Sequence, residues 1–225
     1  MNRLADIQPL IKNKEIKMKK SIAIATLSIL LSSGAASAAS NKIGTVINDI
    51  GIKYVKAMAL ANNSIASAGS VNITHSKKIG TIINSIEARN VRAIALARNA
   101  VASAGSVNID GSDHIDTVVN RVEANNLAAI ALAKNAIASA GSVNITGSRK
   151  IGTVVNQVDA RNLKATALGK NAIAVAGGIN IANSEKIGKV INRVKGDNFE
   201  ALALTDNAIA VAGGVYISEG AEIRD

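Results

Sequence analysis

The sequence has no cysteine and very few aromatic residues. Cys and Trp are absent, and two Tyr and one Phe are the whole aromatic set of the 225-residue chain. Without thiols the chain can form no disulfide framework, thiolate metal site or cysteine nucleophile. Without large aromatic side chains, Ala, Val and Ile must fill the core. These absences favour a thin, regular core over the bulky core of a globular enzyme.

Proline and histidine are also scarce. The single proline is Pro9, so residues 39–225 all keep a backbone N–H group, as long β ladders require. The two histidines, His75 and His114, stand at unrelated places in the chain, which argues against a metal site or acid–base catalysis. We therefore expect no enzymatic activity, no cofactor and no metal.

The chain does contain one 36-residue unit written five times without a gap. The copies cover residues 41–76, 77–112, 113–148, 149–184 and 185–220, and a polar tail, 221–225, follows. We number positions in the unit from 1 to 36. Ten positions are identical in all copies, among them Ile at position 3 and the motif Ala-x-Ala-Gly at positions 26–29. Such self-similarity is typical of a solenoid, in which one unit cannot bury its apolar face alone.

The pattern within the unit favours strands. Val118, Asn120, Val122, Ala124 and Asn126 alternate at a period of two with the variable residues Arg121, Glu123 and Asn125. β-branched residues are concentrated near both ends of the unit. The unit length never varies, as expected of strands stacked in register. The sequence predicts an all-β β-solenoid of five stacked 36-residue coils over residues 39–220. Strands are expected near positions 3–12, 15–22 and 24–33. An α-helical repeat array is the alternative, because residues 123–140 have high helix propensity.

The N-terminal segment has the features of a secretory signal peptide. Residues 18–20 are Met-Lys-Lys, an apolar run covers 21–31, and the small residues that follow include an Ala-Ser-Ala cleavage pattern at 36–38. The apolar run is too short to predict a stable transmembrane span. We expect residues 18–38 to direct export through a Sec-type machinery to the cell surface or beyond. Residues 1–17 are then predicted to be an upstream extension, with translation starting at Met18 or, alternatively, at Met1.

Asparagine occupies four columns of the repeat. Stacked amides can bond to the identical group in the copy above and below, as in cross-β stacks, or can serve turns that need left-handed backbone. Position 8 is the best ladder candidate and position 23 the best turn candidate. Two further columns, at positions 14 and 32, are each interrupted once by Tyr. The position 8 column is Asn48, Asn84, Asn120, Asn156 and Asn192; the position 23 column is Asn63, Asn99, Asn135, Asn171 and Asn207.

The charge is +10, of which residues 1–38 carry +4, from six basic and two acidic residues. Position 2 forms a basic column, Lys42, Lys78, His114, Lys150 and Lys186. Such an edge favours loose attraction to an anionic surface polymer or polysaccharide, or serves solubility alone. Specific nucleic-acid binding is not expected, because no motif or stacking aromatics accompany the charge.

The aromatic residues of the chain lie in the first and last copies. Tyr54 stands in copy 1, and Phe199 and Tyr216 stand in copy 5. Terminal repeats of solenoids commonly differ from the inner ones because they cover an exposed end. We therefore expect these three side chains to act in capping.

Taken together, these features resemble the curlin type of bacterial functional amyloid subunit. The resemblance consists of a signal peptide, five short repeats with amides at set positions, and the phrase Asn-Leu-Ala-Ala-Ile-Ala at residues 126–131. It implies a non-enzymatic subunit that is exported, assembles into surface fibres (a fimbrium) and mediates adhesion in a biofilm. The alternative is a monomeric β-solenoid that binds polysaccharide or ice through one face, although the Thr column at position 5 breaks at Lys189.

Overall fold

In the computed structural model the chain is all-β. The structure describes residues 24–25, 42–59, 65–96, 101–132, 137–168, 173–204, 209–218 and 222–223. These ranges contain no helix long and apolar enough to cross a membrane. The strands are β1 (Ile24–Ala25), β2 (Lys42–Gly51), β3 (Tyr54–Ala59), β4 (Ile65–Ala68), β5 (Val71–Ala95), β6 (Val101–Ala104), β7 (Val107–Ala131), β8 (Ile137–Ala140), β9 (Val143–Thr146), β10 (Lys150–Ala167), β11 (Ile173–Ala176), β12 (Ile179–Ala182), β13 (Lys186–Lys195), β14 (Asn198–Ala203), β15 (Ile209–Ala212), β16 (Val215–Ile217) and β17 (Glu222–Ile223).

Each copy pairs in parallel with the next copy, at a step of 36 residues. Ile43 pairs with Ile79 and Ile79 with Ile115, and the same step continues through the fifth copy. The result is a β-solenoid of about four turns, which confirms the predicted fold class. The α-helical alternative is wrong, because the described residues of the Ala-rich stretch lie in β7 and β8. Stacking of the small side chains overrides their helix propensity.

Two sheets form the walls of the solenoid. The larger sheet is built around β2, β5, β7, β10 and β13, in the order of the chain. The smaller sheet contains β4, β6, β8, β11 and β15, which contribute positions 25–28 of each copy. Residues at the same position of the unit therefore lie over one another on every wall, about 4.8 Å apart.

The interior holds two separate apolar clusters. One cluster is rich in alanine and gathers positions such as 17, 19, 26 and 28, with Leu127 and Leu163 among its larger members. The other contains Ile and Val from positions 3, 6, 31 and 33, such as Ile79, Val107 and Ile109. The alanine positions let the two sheets approach closely, which explains why the core needs no aromatic side chain.

The third predicted strand is divided in two by a turn. The glycine at position 29 has a positive φ in all five copies, from 60° at Gly141 to 64° at Gly177. The chain bends there, between positions 25–28 in one sheet and positions 31–34 in the other. The join between copies is a second corner, since its position 35 also has positive φ at His75, Gly111 and Gly147. At this corner β5 and β7 continue from one copy into the next.

The two ends of the stack differ in burial. In copy 1 the inward-facing Ile43, Val46 and Ile50 are at most 8% exposed. In copy 5 Val190 and Val194, at positions 6 and 10, are partly exposed, and Val215 is 47% exposed against 1% for Val71 at the same position of copy 1; Ile187, at position 3, stays 1% exposed. The edge of β2 pairs antiparallel with β1, whereas β13 pairs at its start with β17. The C-terminal end of the solenoid is therefore the more exposed one.

Candidate functional site: amide ladders, grooves and ends of the solenoid

An asparagine ladder runs through the interior at position 8, which we call the inner ladder. Asn48 Nδ2 donates to Asn84 Oδ1 at 2.7 Å, and Asn84 donates to Asn120 at 2.7 Å. The series continues from Asn120 to Asn156 at 2.9 Å and to Asn192 at 3.0 Å. Asn84, Asn120 and Asn156 are fully buried. A buried amide needs such partners, because each unsatisfied group costs about 1–3 kcal/mol.

The inner ladder also fastens the two sheets to each other. Asn156 Nδ2 lies 3.1 Å from the Gly177 carbonyl oxygen and 3.4 Å from that of Gly178. Asn192 makes the equivalent bond to the Gly213 carbonyl at 3.0 Å. These carbonyls belong to the turn at positions 29–30. The ladder thus crosses the interior between the two apolar clusters and holds the opposite wall at a set distance.

A second ladder lies at position 32. Asn108 Nδ2 donates to Asn72 Oδ1 at 2.6 Å, and Asn144 Nδ2 donates to Asn108 Oδ1 at 2.8 Å. Each of these three amides also donates to the hydroxyl of the serine five residues earlier. In copy 4 that serine is replaced by Val175, and the Oδ1 atom of the buried Asn180 has no partner among the described residues. The Ser and Asn columns therefore act as a pair that ends before copy 4.

A third ladder, at position 14, is on the outside. Asn126, Asn162 and Asn198 each donate to the asparagine of the preceding copy, at 2.6, 2.7 and 2.8 Å. Tyr54 lies in register below Asn90 and is 65% exposed, so this ladder stops at copy 1. Water competes for these amides, and the ladder should add less stability than the inner one.

The position 23 column lies outside the described residues. It comprises Asn63, Asn99, Asn135, Asn171 and Asn207. Sequence reasoning missed the serines at position 27 and the glycine carbonyls at position 29 as partners of the amides. The available indication was their recurrence, since Ser67, Ser103 and Ser139 precede an Asn by five residues each time.

The aromatic residues stand at the ends of columns. Tyr216 is in register with Asn180 and terminates the position 32 column. Phe199 is in register with the fully buried Leu163 and lies over that interior column at the C-terminal end. Tyr54 faces outwards. The structure thus places Phe199 over the core and the two tyrosines at the ends of asparagine columns.

The basic column at position 2 follows one corner of the solenoid. Lys42, Lys78, Lys150 and Lys186 are exposed, in register with one another or with His114. The carboxylate of Asp116 partly offsets the positive charge in the middle of the column, since it lies 3.8 Å from Lys78 Nζ and 2.5 Å from His114 Nε2. The corner therefore presents cations towards both ends of the stack and a mixed cluster in the middle.

Two grooves run along the outside. One, of about 470 Å³, follows a corner where carboxylates of Glu87, Glu123 and Asp159 lie beside Arg89 and Arg161. An acidic row thus lies beside a basic row, and the groove is open to solvent. The other groove, of about 230 Å³, is mainly apolar. Its walls include Val101 and Ile137, and Asn72, Asn108 and Asn144 of the position 32 ladder line it.

No group of three or more His, Asp or Glu side chains in the described ranges could hold a metal ion. The geometry of the described residues is therefore one of repeated columns, with polar ladders inside and charged rows outside. Comparison with protein families, with characterised proteins and with solved structures gives no match for this chain.

Proposed function

We propose that the protein is an exported structural subunit that self-associates end to end into a cell-surface or biofilm-matrix fibre and mediates adhesion. One observation carries this proposal. Every joint between copies is closed by in-register strand pairing, whereas the outer edge of copy 5 leaves interior positions exposed, including Ala210 and Ala212. An open strand edge with apolar side chains is a template for pairing with another chain.

Stacking on this edge would bury the same atoms that the inner joints bury. At an inner joint the alanines of positions 26 and 28, such as Ala138 and Ala140, are fully buried. Burying apolar surface is worth about 25 cal/mol per Å². Cross-β stacks gain further stability from identical side chains in register. The outer edge of copy 5 is thus the part of the described chain where the apolar surface that inner joints bury is left exposed.

The exported protein should form unbranched fibres with a meridional reflection near 4.8 Å. We would purify it from a host that processes it and measure thioflavin binding, electron micrographs and fibre diffraction. Ala210→Lys should abolish fibres, because it places a charge on the open end. Ala128→Lys is the matched control, since position 16 is an outer position that already carries Lys56 and Lys164. A wild-type chain that remains a monomer in light scattering contradicts the proposal.

The basic column is the proposed contact with anionic polymers. Lys150→Glu with Lys186→Glu should weaken retention of the protein on immobilised alginate, because two of its exposed cations become anions. The effect should shrink at about 1 M salt, where the Debye length is about 3 Å. The control is Arg92→Glu with Arg121→Glu, two exposed cations outside the column, which gives the same net charge. Equal retention of both variants contradicts a role for this column.

The apolar groove favours a second candidate, a monomeric solenoid that binds a polysaccharide chain through one face. Its apolar walls and amide floor are the surfaces that a sugar ring with hydroxyl groups would contact. In that case cellohexaose should raise the melting temperature of a monomeric wild-type protein, and Ile137→Glu should remove the shift. No shift with neutral oligosaccharides leaves this candidate without support.

A further inference from the structure

Three outer positions carry opposite charges at the two ends of the solenoid, and we infer that a second copy of this chain binds there in one defined register. Copy 1 of the second chain continues the stack on copy 5 of the first, at the same 36-residue step that joins the copies within a chain. The inference rests on the proposed fibre and specifies its contact. It predicts which side chains form the contact and a polarity for the whole assembly.

Copy 1 has the interior that copy 5 needs above it. Its inward positions carry the same residue types as copies 2–5, with Ile43 at position 3, Asn48 at position 8 and alanines at positions 26 and 28. In the inner ladder each Nδ2 donates towards the next copy, and Asn192 is the last member. The next acceptor in that direction is the Asn48 Oδ1 atom of a second chain. The ladder can therefore continue across the contact without changing its direction.

Three outer positions bring opposite charges together at this contact. Position 2 brings two lysines together, Lys186 and Lys42, a pairing that the joints between copies 1 and 2 and between copies 4 and 5 already contain. Position 9 is basic at the C-terminal end and acidic at the N-terminal end, and positions 13 and 16 have the reverse arrangement. All six side chains are exposed. Residues in register on parallel strands are about 4.8 Å apart, within reach of an ion pair. The pairs are Arg193 with Asp49, Asp197 with Lys53, and Glu200 with Lys56 of the second chain.

The joint between copies 4 and 5 shows the same kind of pairing within the chain. Lys164 Nζ lies 2.9 Å from Glu200 Oε1, and Lys195 Nζ lies 3.5 Å from Asp159 Oδ2. Lys164, at position 16 of copy 4, thus pairs with Glu200 from within the chain. Lys56, at position 16 of copy 1 of the second chain, would pair with Glu200 from the opposite side.

Lys53 and Lys56 of copy 1 lie beside cations of their own chain. Lys53 lies in the column of Arg89, and Lys56 is in register with Arg92, so like charges face each other at the first joint. Like charges at this spacing are unfavourable. The same two lysines meet carboxylates at the contact between chains. Their charge is therefore better explained by a second chain than by the stability of the first.

At copy 5 the contact must displace β17, which pairs with Lys186 and Ile187 where Lys42 and Ile43 of the second chain would lie. The edge of copy 1 must also be free. In the full chain β1 pairs with Val46 and Ile47 on that edge. β1 lies within residues 18–38, the predicted signal peptide. Removal of that segment on export would leave the edge of β2 open, so the experiment uses the exported chain, with its N-terminus verified by mass spectrometry.

The test reverses the sign of the three charges at one end of the chain at a time. The N-end variant is Asp49→Lys, Lys53→Glu and Lys56→Glu. Within its own chain it sets carboxylates beside Arg89 and Arg92, so its β circular dichroism and melting temperature should equal or exceed those of the wild type. Alone at low salt, it should form fibres at about one tenth of the wild-type rate or more slowly still, because three attractions become repulsions. About 1 M salt should reduce the difference.

The C-end variant supplies the complement. It is Arg193→Asp, Asp197→Lys and Glu200→Lys. It should also assemble poorly alone, and an equimolar mixture of the two variants should form fibres at close to the wild-type rate, because each end then meets its opposite. Arg121→Glu is the control for the N-end variant, since it makes the same net change of charge on an exposed inner position.

The outcomes separate this contact from the proposed function. Wild-type chains that do not assemble contradict the fibre itself. Wild-type fibres together with an N-end variant that assembles at the wild-type rate at low salt overturn the contact and leave the fibre standing. Slow assembly of the N-end variant, normal assembly of Arg121→Glu and rescue in the mixture support the contact. A C-end variant that loses its β spectrum does not affect the comparison of the N-end variant with Arg121→Glu.

Discussion

Replacing Asn120 with leucine should remove a large part of the stability of the folded protein. Leucine matches asparagine in size, but it leaves the Nδ2 group of Asn84 without its acceptor and the Oδ1 atom of Asn156 without its donor. Both groups are fully buried. At about 1–3 kcal/mol for each unsatisfied group, together with the lost bonds to the opposite wall, we expect a cost of about 3–6 kcal/mol. Urea unfolding followed by circular dichroism measures it.

The matched control is Asn126→Leu. Asn126 belongs to the same copy and makes the same kind of amide bonds, at 2.6 and 2.7 Å, but on the exposed ladder. Its neighbours can bond to water when it is replaced, so we expect a loss under about 1 kcal/mol. Equal losses for the two variants would contradict the view that burial makes the inner ladder essential.

Gly141→Ala should be the second large effect. Gly141 has a φ of 60°, a left-handed conformation that costs an alanine about 1–2 kcal/mol. A Cβ atom there would lie 3.2 Å from Leu127 Cδ2 and 3.2 Å from Val158 Cγ1, and both side chains are 1% exposed. They have little room to move. We expect a total cost of about 2–4 kcal/mol, because overpacking adds to the strain.

Gly147→Ala separates the two contributions. Gly147 has nearly the same φ, 65°, but the nearest atoms to its added Cβ are 3.8 Å away. The same position holds His75 in copy 1 and Asn183 in copy 4, both with positive φ. Only the conformational strain should therefore appear, at about 1 kcal/mol. A Gly147→Ala variant as unstable as Gly141→Ala would show that packing at the position 29 turn is unimportant.

The sequence was sufficient to predict the stack but not its cross-section. Period-two alternation around Val118, Asn120 and Val122 placed an asparagine between buried residues, and the constant 36-residue step implied that it would meet its copies. Both follow from local pattern and register. The prediction of three strands per unit misses the turn at Gly141 and with it the separation of the interior into two clusters.

The position of that turn depends on a shift of parity. Ala138 and Ala140 face inwards at even positions, 26 and 28, whereas Val143 and Ile145 face inwards at odd ones, 31 and 33. A strand cannot change parity without a bend or bulge, so the shift marks the corner. The distance across the interior could not be predicted in the same way. It depends on the bond from the inner ladder to the glycine carbonyls, which joins residues about twenty positions apart.

The amides of the inner ladder donate in the opposite direction to those of the other two ladders. The inner amides donate towards the C-terminus, and their orientation is set by carbonyl oxygens that can only accept. The ladders at positions 14 and 32 donate towards the N-terminus. Side-chain dipoles aligned in a single sense would sum along the axis, as peptide dipoles do in a helix. Here one row opposes two, so each copy that lengthens the rod adds the net dipole of about one row instead of three, which lowers the dipole moment that grows with length without removing it.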